Sequence, residues 1–294
     1  MGQKNYKTGK TFKEMHILGI DSSTGRLSIA VTSCSEPVPV KNIQTDAIQY
    51  SRQSGFMKSI IALTDKVLKK AGIDIKDIGM FCVNRGPGDF TGTRIGISVI
   101  KAFALVNNKP SFGIDALDVY AMQAASLNPG KILQLISEGL RAYIVPAADI
   151  KRDELFFCIY EASVNAGRNC QGKVFYRNRE FFINKVGNDN IAEAGAFTNS
   201  FEKCFKYLLD TDSQDCFEKP NNALFFCGTA FADKSSVAAV SRELKQEFFI
   251  AKRSLYPDAQ YLNMCAMYRL DKNGAENERI IPYYAREFIP FKKK

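Results

Sequence analysis

The chain has 294 residues, 46% of them apolar and 24% charged, with a formal net charge of +9. These proportions are typical of a folded globular protein and exclude a collagen-like or wholly disordered chain. The length predicts one large domain or two subdomains. No apolar run reaches the ~18 residues of a membrane span, and the polar first 14 residues argue against a secretory signal. We therefore expect a cytoplasmic protein.

Much of the positive charge lies at the two ends of the chain. Lys4, Lys7, Lys10 and Lys13 precede the first predicted strand, and residues 292–294 are all lysine. A short basic tail is usually solvated, although it can attract nucleic acid weakly and in a salt-dependent manner. Any contact with tRNA is therefore expected to be indirect or weak.

Cysteine and histidine usage excludes several kinds of site. The eight cysteines include no Cys-x-x-Cys pair, so a zinc site of the usual spacing is not supported, and most lie in apolar runs as expected of reduced core residues. His16 is the only histidine. Chemistry that needs two histidines is therefore excluded, and a Ser-His-Asp or Cys-His hydrolase would have to use a residue in a predicted buried strand.

The chain alternates between strand and helix patterns, which indicates α/β layering in two similar halves. Strands are predicted at 15–20, 27–32, 38–43, 78–83, 111–114, 141–147, 155–161, 173–176 and 224–227. Helices are predicted at 51–71, 93–106, 116–127, 198–209, 235–245 and 258–270. The apolar run at 78–83 does not alternate, so we expect that strand to be covered on both faces. Residues 128–130 are interpreted as a break, and the stretch 165–215 is the least periodic.

Two turns carry polar groups that could hold a phosphate. The first, Asp21-Ser22-Ser23-Thr24, joins two strands and is either a phosphate contact or a turn stabilised by its own side chains. The second contains Gly86 and Gly88 and precedes a helix that Thr91 or Thr93 would cap. Asp89 lies where it would repel a phosphate. We interpret this loop as mainly structural, with room for weak nucleotide binding.

The predicted helix 93–106 carries apolar residues on all sides, so we expect every side of it to be buried against other residues. One side can pack on the sheet. The other side needs a neighbour, either within this chain or on a partner.

Residues Gly86–Gly96, GPGDFTGTRIG, resemble the TsaB family motif Gly-Pro-Gly-Ser-Phe-Thr-Gly-Leu-Arg-Ile-Gly. The first strand and turn and the segment at 114–117 resemble that family in the same order, and so do 149–156, 226–228, 257–259 and 282–286. The resemblance is strong over 15–118, patchy over 119–256 and moderate over 257–288. Asp89 stands where the family has serine and Thr93 where it has leucine.

The resemblance implies an actin-like/sugar-kinase-like fold of two α/β subdomains. The expected parts are a basic tail (1–14), a first subdomain (15–118, joined by a returning helix at 257–272), a second subdomain (119–256) and a C-terminal strand and tail (273–294). It also implies a role in making threonylcarbamoyladenosine in tRNA, as a relative of the transferase subunit TsaD. TsaD-like proteins carry a His-x-x-x-His metal motif, which this chain lacks.

The resemblance therefore predicts a non-catalytic adaptor that binds and supports a TsaD-like transferase, with no required cofactor and no metal. A TsaE-like ATPase is a further candidate partner, and a homodimer is expected when the partner is absent. The expected docking surface is the pair of helices 51–71 and 93–106, with candidate contacts at Ile60, Leu63, Val67, Ile97, Ile100 and Leu105. Weak ATP or ADP binding would involve the turns, at Asp21, Ser22, Ser23, Thr24, Gly86 and Gly88.

Two alternative functions stay open at the sequence level. An independent ATPase or small-molecule kinase of the actin-like superfamily could take magnesium-holding carboxylates from Asp21 and Asp149, but its first turn lacks the glycine that phosphate contact usually needs. A peptidase lacks both a metal motif and a placed nucleophile–base pair.

Overall fold

The computed structural model describes residues 14–35, 44–51, 60–150, 153–208, 222–232, 248–273 and 280–283. The predicted strand at 38–43 and the predicted helix at 235–245 lie outside these ranges. Within them the chain forms two β-sheets with helices on both sides of each sheet.

The first sheet has the strand order β3-β2-β1-β4-β5. Its strands are β1 (Glu14–Asp21), β2 (Leu27–Ser35), β3 (Gln44–Ser51), β4 (Ile78–Asn84) and β5 (Ser111–Ile114). Strands β1 to β3 form an antiparallel meander, whereas β4 runs parallel to β1 and β5 parallel to β4. The parallel pairs follow from the helices between these strands, because a crossover returns the chain to the same end of the sheet.

The second sheet has the core order β11-β7-β6-β8-β10-β9, with β12 parallel to β6 and β13 parallel to β12. Its strands are β6 (Arg141–Asp149), β7 (Glu154–Phe157), β8 (Tyr160–Ser163), β9 (Cys170–Tyr176), β10 (Arg179–Lys185), β11 (Asn190–Glu193), β12 (Asn222–Cys227) and β13 (Phe248–Ile250).

Six α-helices lie in the described parts of the chain: α1 (Ile60–Ala71), α2 (Phe90–Asn107), α3 (Ala116–Leu127), α4 (Pro129–Ser137), α5 (Phe197–Leu208) and α6 (Ala259–Asn273). Helices α1 and α2 cover the outer face of the first sheet, and α5 covers the outer face of the second. Helices α3 and α6 lie between the two sheets in one shared hydrophobic core. None of these helices has the length and hydropathy that a bilayer crossing requires.

Strand β4 shows how the first sheet is packed. Met80 and Cys82 point into the core shared with α3 and α6, whereas Phe81 and Val83 point to the core beneath α1 and α2. Successive residues of a strand face opposite sides of the sheet, so a strand covered on both faces needs no polar alternation. The prediction that this strand is buried on both faces is confirmed.

Several element predictions were wrong in detail. Ser51 ends strand β3 rather than beginning a helix, and the described part of α1 begins at Ile60. The predicted strand at 155–161 is two strands, β7 and β8. Residues 128–130 do interrupt the helical run, since α3 ends at Leu127, but a helix that was not predicted, α4, begins at Pro129, where the missing amide costs nothing. The aperiodic stretch contains β9, β10 and β11.

The cysteines within the described ranges form no disulfide, and all but Cys204 are buried. The prediction of reduced core thiols is confirmed for those buried residues. Burial raises the pKa of the Cys82 thiol well above its usual value, which keeps it protonated and unreactive.

Candidate functional site

The turn between β1 and β2 uses its polar groups internally. Asp21 is 1% exposed. Its Oδ1 accepts hydrogen bonds from the amide and hydroxyl of Ser23, at 3.0 and 2.9 Å, and its Oδ2 accepts one from Asn84 Nδ2 at 2.5 Å. The Ser22 hydroxyl, also buried, donates to the carbonyl of Gly92 at 2.8 Å. These hydroxyls therefore hold the turn and the start of α2 together.

Burial also decides the charge of Asp21. Desolvation raises the pKa of this carboxyl from 3.8 to about 6, although the hydrogen bonds from Asn84 and Ser23 oppose the shift. The neutral form is favoured because a charged group loses its hydration inside the protein. An Mg²⁺ ligand needs an accessible carboxylate, and the oxygens of Asp21 are buried and already hydrogen-bonded to Ser23 and Asn84.

The glycine-rich loop lies directly against this first turn. The amide of Asp89 donates to the Ser23 carbonyl at 2.6 Å, and a Cβ atom on Gly88 would overlap the same oxygen. Gly86 has a φ of +101°, and a Cβ there would lie 2.9 Å from the carbonyl oxygen of Tyr283. The glycines therefore permit close contact between backbone segments of this chain.

Asp89 caps helix α2. Its side chain accepts a hydrogen bond from the Gly92 amide at 2.7 Å, and the helix begins at the next residue, Phe90. The expectation that Thr91 or Thr93 caps the helix is wrong, because both lie inside it. The N-cap is the residue just before the first helical one, and a short carboxylate there reaches the third amide. A carboxylate therefore occupies the position where a helix would receive a phosphate.

The structure thus brings the six candidate nucleotide residues together. Asp21, Ser22, Ser23 and Gly86 are buried, and Thr24 and Gly88 are half-buried. The contacts described above account for their proximity without a ligand. Weak ATP or ADP binding at these turns stays a prediction, and their paired polar groups do not favour it.

The six candidate docking residues divide into two groups. Four lie in the core beneath the sheet-covering helices: Ile60, Val67, Ile97 and Ile100. Leu63 is half-buried, and Leu105 is 82% exposed. Only the last two can contact another molecule without rearrangement of this chain.

The exposed face of α2 carries an apolar stripe that sequence reasoning only partly identified. We call it the outer α2 stripe, and it consists of the exposed residues Ala102, Leu105 and Val106 together with the half-buried Ile95 and Val99. Val99 also packs against the core beneath the helix. Leu105 and Val106, which is 83% exposed, form its most accessible end. The glycines at positions 92 and 96, one helical turn apart, could have identified the stripe from the sequence by showing which face of α2 packs inward. A Cβ on Gly96 would overlap the Ser22 hydroxyl, so these glycines mark the inward face.

A buried charge cluster between the two sheets was missed entirely by the sequence analysis. Asp118 on α3 is 2% exposed and accepts a hydrogen bond from the Tyr160 hydroxyl at 2.6 Å. Arg269 on α6 pairs with Asp118 at 2.9 Å and also donates to the Gly113 carbonyl in β5 at 3.0 Å. Burial raises the pKa of Asp118, and the nearby Arg269 opposes the shift. The cluster connects the first sheet to the second.

The last described segment reinforces that connection. The amide of Tyr283 donates to the carbonyl of Arg85 at 2.7 Å, and its hydroxyl donates to Asp189 at 2.8 Å. Asp189 also pairs with Lys185 of β10 at 2.6 Å. Residues 280–283 therefore span from the glycine-rich loop to the second sheet.

No group of three or more histidine, cysteine, aspartate or glutamate side chains suited to a metal ion occurs among the residues that the structure describes. His16, at the start of β1, is hydrogen-bonded through Nδ1 to the Ser33 hydroxyl at 2.5 Å. Its contact is with a neighbouring strand rather than with a nucleophile placed in a cleft.

Comparison with known proteins identifies relatives for this arrangement. A family model described as TsaD, tRNA N6-adenosine threonylcarbamoyltransferase, matches residues 51–166. The TsaB protein of Buchnera aphidicola is 32% identical over 108 residues, which cover 37% of this chain and 48% of the relative. The TsaB protein of Escherichia coli is 30% identical over 146 residues, covering 48% of this chain and 57% of the relative. The matches thus span about half the length of these two relatives.

The solved structure of YeaZ from Pseudomonas aeruginosa superposes with a TM-score of 0.60 at 18% sequence identity, covering 92% of this chain and 99% of that one. At this identity the likeness concerns the fold, and it confirms the predicted α/β class, which the two helix-covered sheets described above also show. The actin-like/sugar-kinase-like arrangement stays what the resemblance implies. The sequence matches and the fold agree with the motif at Gly86–Gly96, and the resemblance of this chain to the TsaB family is confirmed.

Proposed function

We propose that this chain is a non-catalytic adaptor that binds a TsaD-like transferase and supports it in the formation of threonylcarbamoyladenosine in tRNA. The proposal rests on the outer α2 stripe together with the names of the chain's relatives. Leu105 and Val106 are more than four-fifths exposed, adjacent and apolar. Contiguous exposed apolar side chains on a helix favour a protein–protein contact.

The chemistry available to the chain supports an adaptor rather than a transferase. A single histidine cannot form the His-x-x-x-His metal motif of TsaD-like proteins. The carboxyl that a kinase-type site would need, Asp21, is buried and bound to Ser23 and Asn84. The feature of the described surface that suits binding of another protein is the outer α2 stripe.

The test is binding of a co-expressed TsaD-like protein to the Leu105→Lys/Val106→Lys double variant. Lysine is chosen because a positive charge near a helix C-terminus suits the helix dipole. Both side chains are exposed, so we expect the double substitution to change the free energy of unfolding by less than about 0.5 kcal/mol. Loss of a central apolar contact costs about 2 kcal/mol or more, so affinity should fall by roughly 30-fold.

Val164→Lys is the matched control, because Val164 is 55% exposed and lies in the second half of the chain. It should bind like the unchanged protein. If the double variant binds with unchanged affinity, the outer α2 stripe is not the docking surface. If the transferase modifies tRNA fully without this chain, the adaptor role is refuted. Charges at Ile60 or Ile100 are unsuitable probes, because these side chains are 3% and 0% exposed and a charge there would disrupt the core.

The same stripe is our proposed contact for a homodimer when the partner is absent. The unchanged chain should then elute as a dimer and the double variant as a monomer. A TsaE-like ATPase as a further partner stays a prediction.

A further inference from the structure

A cavity of about 530 Å³ lies beside the β1–β2 turn, and none of the six candidate nucleotide residues lines it. The segment 252–258, the turn residue Arg26 and the facing sides of α3 and α6 form its walls. Its lining residues are Arg26, Ser28, Gln123, Leu127, Lys252, Arg253, Leu255, Tyr256, Pro257, Asp258, Gln260 and Tyr261. Pockets of this size are typical of small-molecule sites.

Positive charge dominates this cavity. Arg26, Lys252 and Arg253 line it, and within the described ranges no carboxylate forms an ion pair with any of them. Its one acidic residue, Asp258, already accepts hydrogen bonds from the Gln260 amide and side chain, both at 3.2 Å. Three cations without paired anions around a concave surface favour an anionic ligand.

Aromatic packing positions one of these cations. The guanidinium carbon of Arg26 lies 3.3 Å from the centre of the Tyr256 ring. A stacked guanidinium loses little further freedom when it binds an oxyanion, and its planar fork suits a phosphate. Arg26 is half-buried, so its orientation is set before any ligand arrives.

Gln123 supplies an observation independent of charge. Its side chain is 3% exposed and lines the cavity. Its Nε2 donates to the Arg253 carbonyl at 2.9 Å, which fixes the amide, but its buried Oε1 has no hydrogen-bond partner among the described residues. A buried acceptor without a donor is costly, so a ligand with a hydroxyl or N–H group would complete this site.

We infer that this cavity binds a small organic phosphate, with the phosphate among Arg26, Lys252 and Arg253 and a donor group of the organic part on Gln123 Oε1. The apolar walls, Leu127, Leu255 and Tyr261, suit the carbon skeleton of such a ligand. The inference is independent of the adaptor role, because it uses none of the outer α2 stripe.

The test is calorimetric titration of the full chain with ribose 5-phosphate, inorganic phosphate and ribose. Ribose 5-phosphate should bind saturably and more tightly than inorganic phosphate, and ribose should not bind. Arg253→Glu should weaken ribose 5-phosphate at least ~10-fold, since a hydrogen bond to a charged group is lost and repulsion is added. Arg179→Glu, the same charge change at an exposed residue of β10, should leave binding unchanged.

Gln123→Met separates the two halves of the inference. It should weaken ribose 5-phosphate while leaving inorganic phosphate binding as it was, because only the organic ligand uses Oε1. Absence of saturable ribose 5-phosphate binding, or equal weakening by Arg253→Glu and Arg179→Glu, overturns the site. Equal affinity for ribose 5-phosphate and inorganic phosphate would show that the organic part of the ligand contributes nothing to binding, which overturns that half of the inference.

Discussion

Asp21→Asn should change how the stability of this protein depends on pH. The carboxyl of Asp21 is buried at the end of β1, and burial raises its pKa from 3.8 to about 6. The folded state therefore holds this proton more tightly than the unfolded state does. Asparagine cannot titrate, so the variant loses the pH dependence that Asp21 contributes while keeping a side chain of the same shape.

The size of the effect follows from the two pKa values. A gap of about 2 pH units corresponds to about 3 kcal/mol, at about 1.4 kcal/mol for each unit. Because the folded pKa is raised, the contribution is fully present below pH ~4 and is lost as the pH rises through 6. Because the unfolded carboxyl is already partly ionised at pH 4, the unchanged protein should lose about 2–2.5 kcal/mol relative to Asp21→Asn between pH 4 and pH 7.

Urea unfolding followed by circular dichroism at pH 4, 5, 6 and 7 measures this difference. Asp65→Asn serves as the control, because Asp65 is exposed on α1 and its ion pair is with Lys69 of the same helix, at 2.7 Å. Its free energy of unfolding should follow that of the unchanged protein within about 0.5 kcal/mol. If the Asp21→Asn curve runs parallel to that of the unchanged protein across this range, burial does not control the Asp21 proton and the reasoning fails.

Three further substitutions test the packing described above. Arg269→Met should lower the free energy of unfolding by about 3–5 kcal/mol, because the buried Asp118 carboxyl loses its charged partner and the Gly113 carbonyl loses its donor; a loss below 1 kcal/mol in urea unfolding would contradict this. Asp89→Ala should cost about 1 kcal/mol through loss of the α2 cap, whereas Asp89→Ser should be nearly neutral, since serine also caps helices; equal losses would show that the cap is unimportant. Gly88→Ala should cost about 1–3 kcal/mol through overlap with the adjoining turn, whereas at Gly25 an added Cβ meets nothing within 4 Å, so Gly25→Ala should melt near the temperature of the unchanged protein.

Local sequence patterns were sufficient to predict an element where a single physical rule determines its bounds or its burial. Helix α3 begins and ends where its apolar pattern and the following Asn128 predict. Strand β4 was assigned to the interior because it lacks alternation, and both of its faces are covered. In each case the residues that determine the structure lie within a few positions of one another.

The missed features depend on contacts between distant residues. Asp118 and Arg269 are 151 positions apart, and nothing in either neighbourhood indicates that they meet. The sequence analysis also did not tell which face of α2 is buried, because an apolar residue is equally consistent with a core position and with an exposed interface. Ile100 and Leu105 look alike in the sequence, yet one is fully buried and the other is 82% exposed.

The cluster of Asp118, Tyr160 and Arg269 has a consequence for the motions of this molecule. Hinge opening that drew the sheets apart would break the hydrogen bond from the Tyr160 hydroxyl to the Asp118 carboxyl or the bond from Arg269 to the Gly113 carbonyl. A hydrogen bond to a charged group contributes about 1.5–3 kcal/mol, which lowers the equilibrium population of the opened form by roughly 10- to 100-fold. The cluster therefore favours the closed arrangement of the two sheets over an opened one.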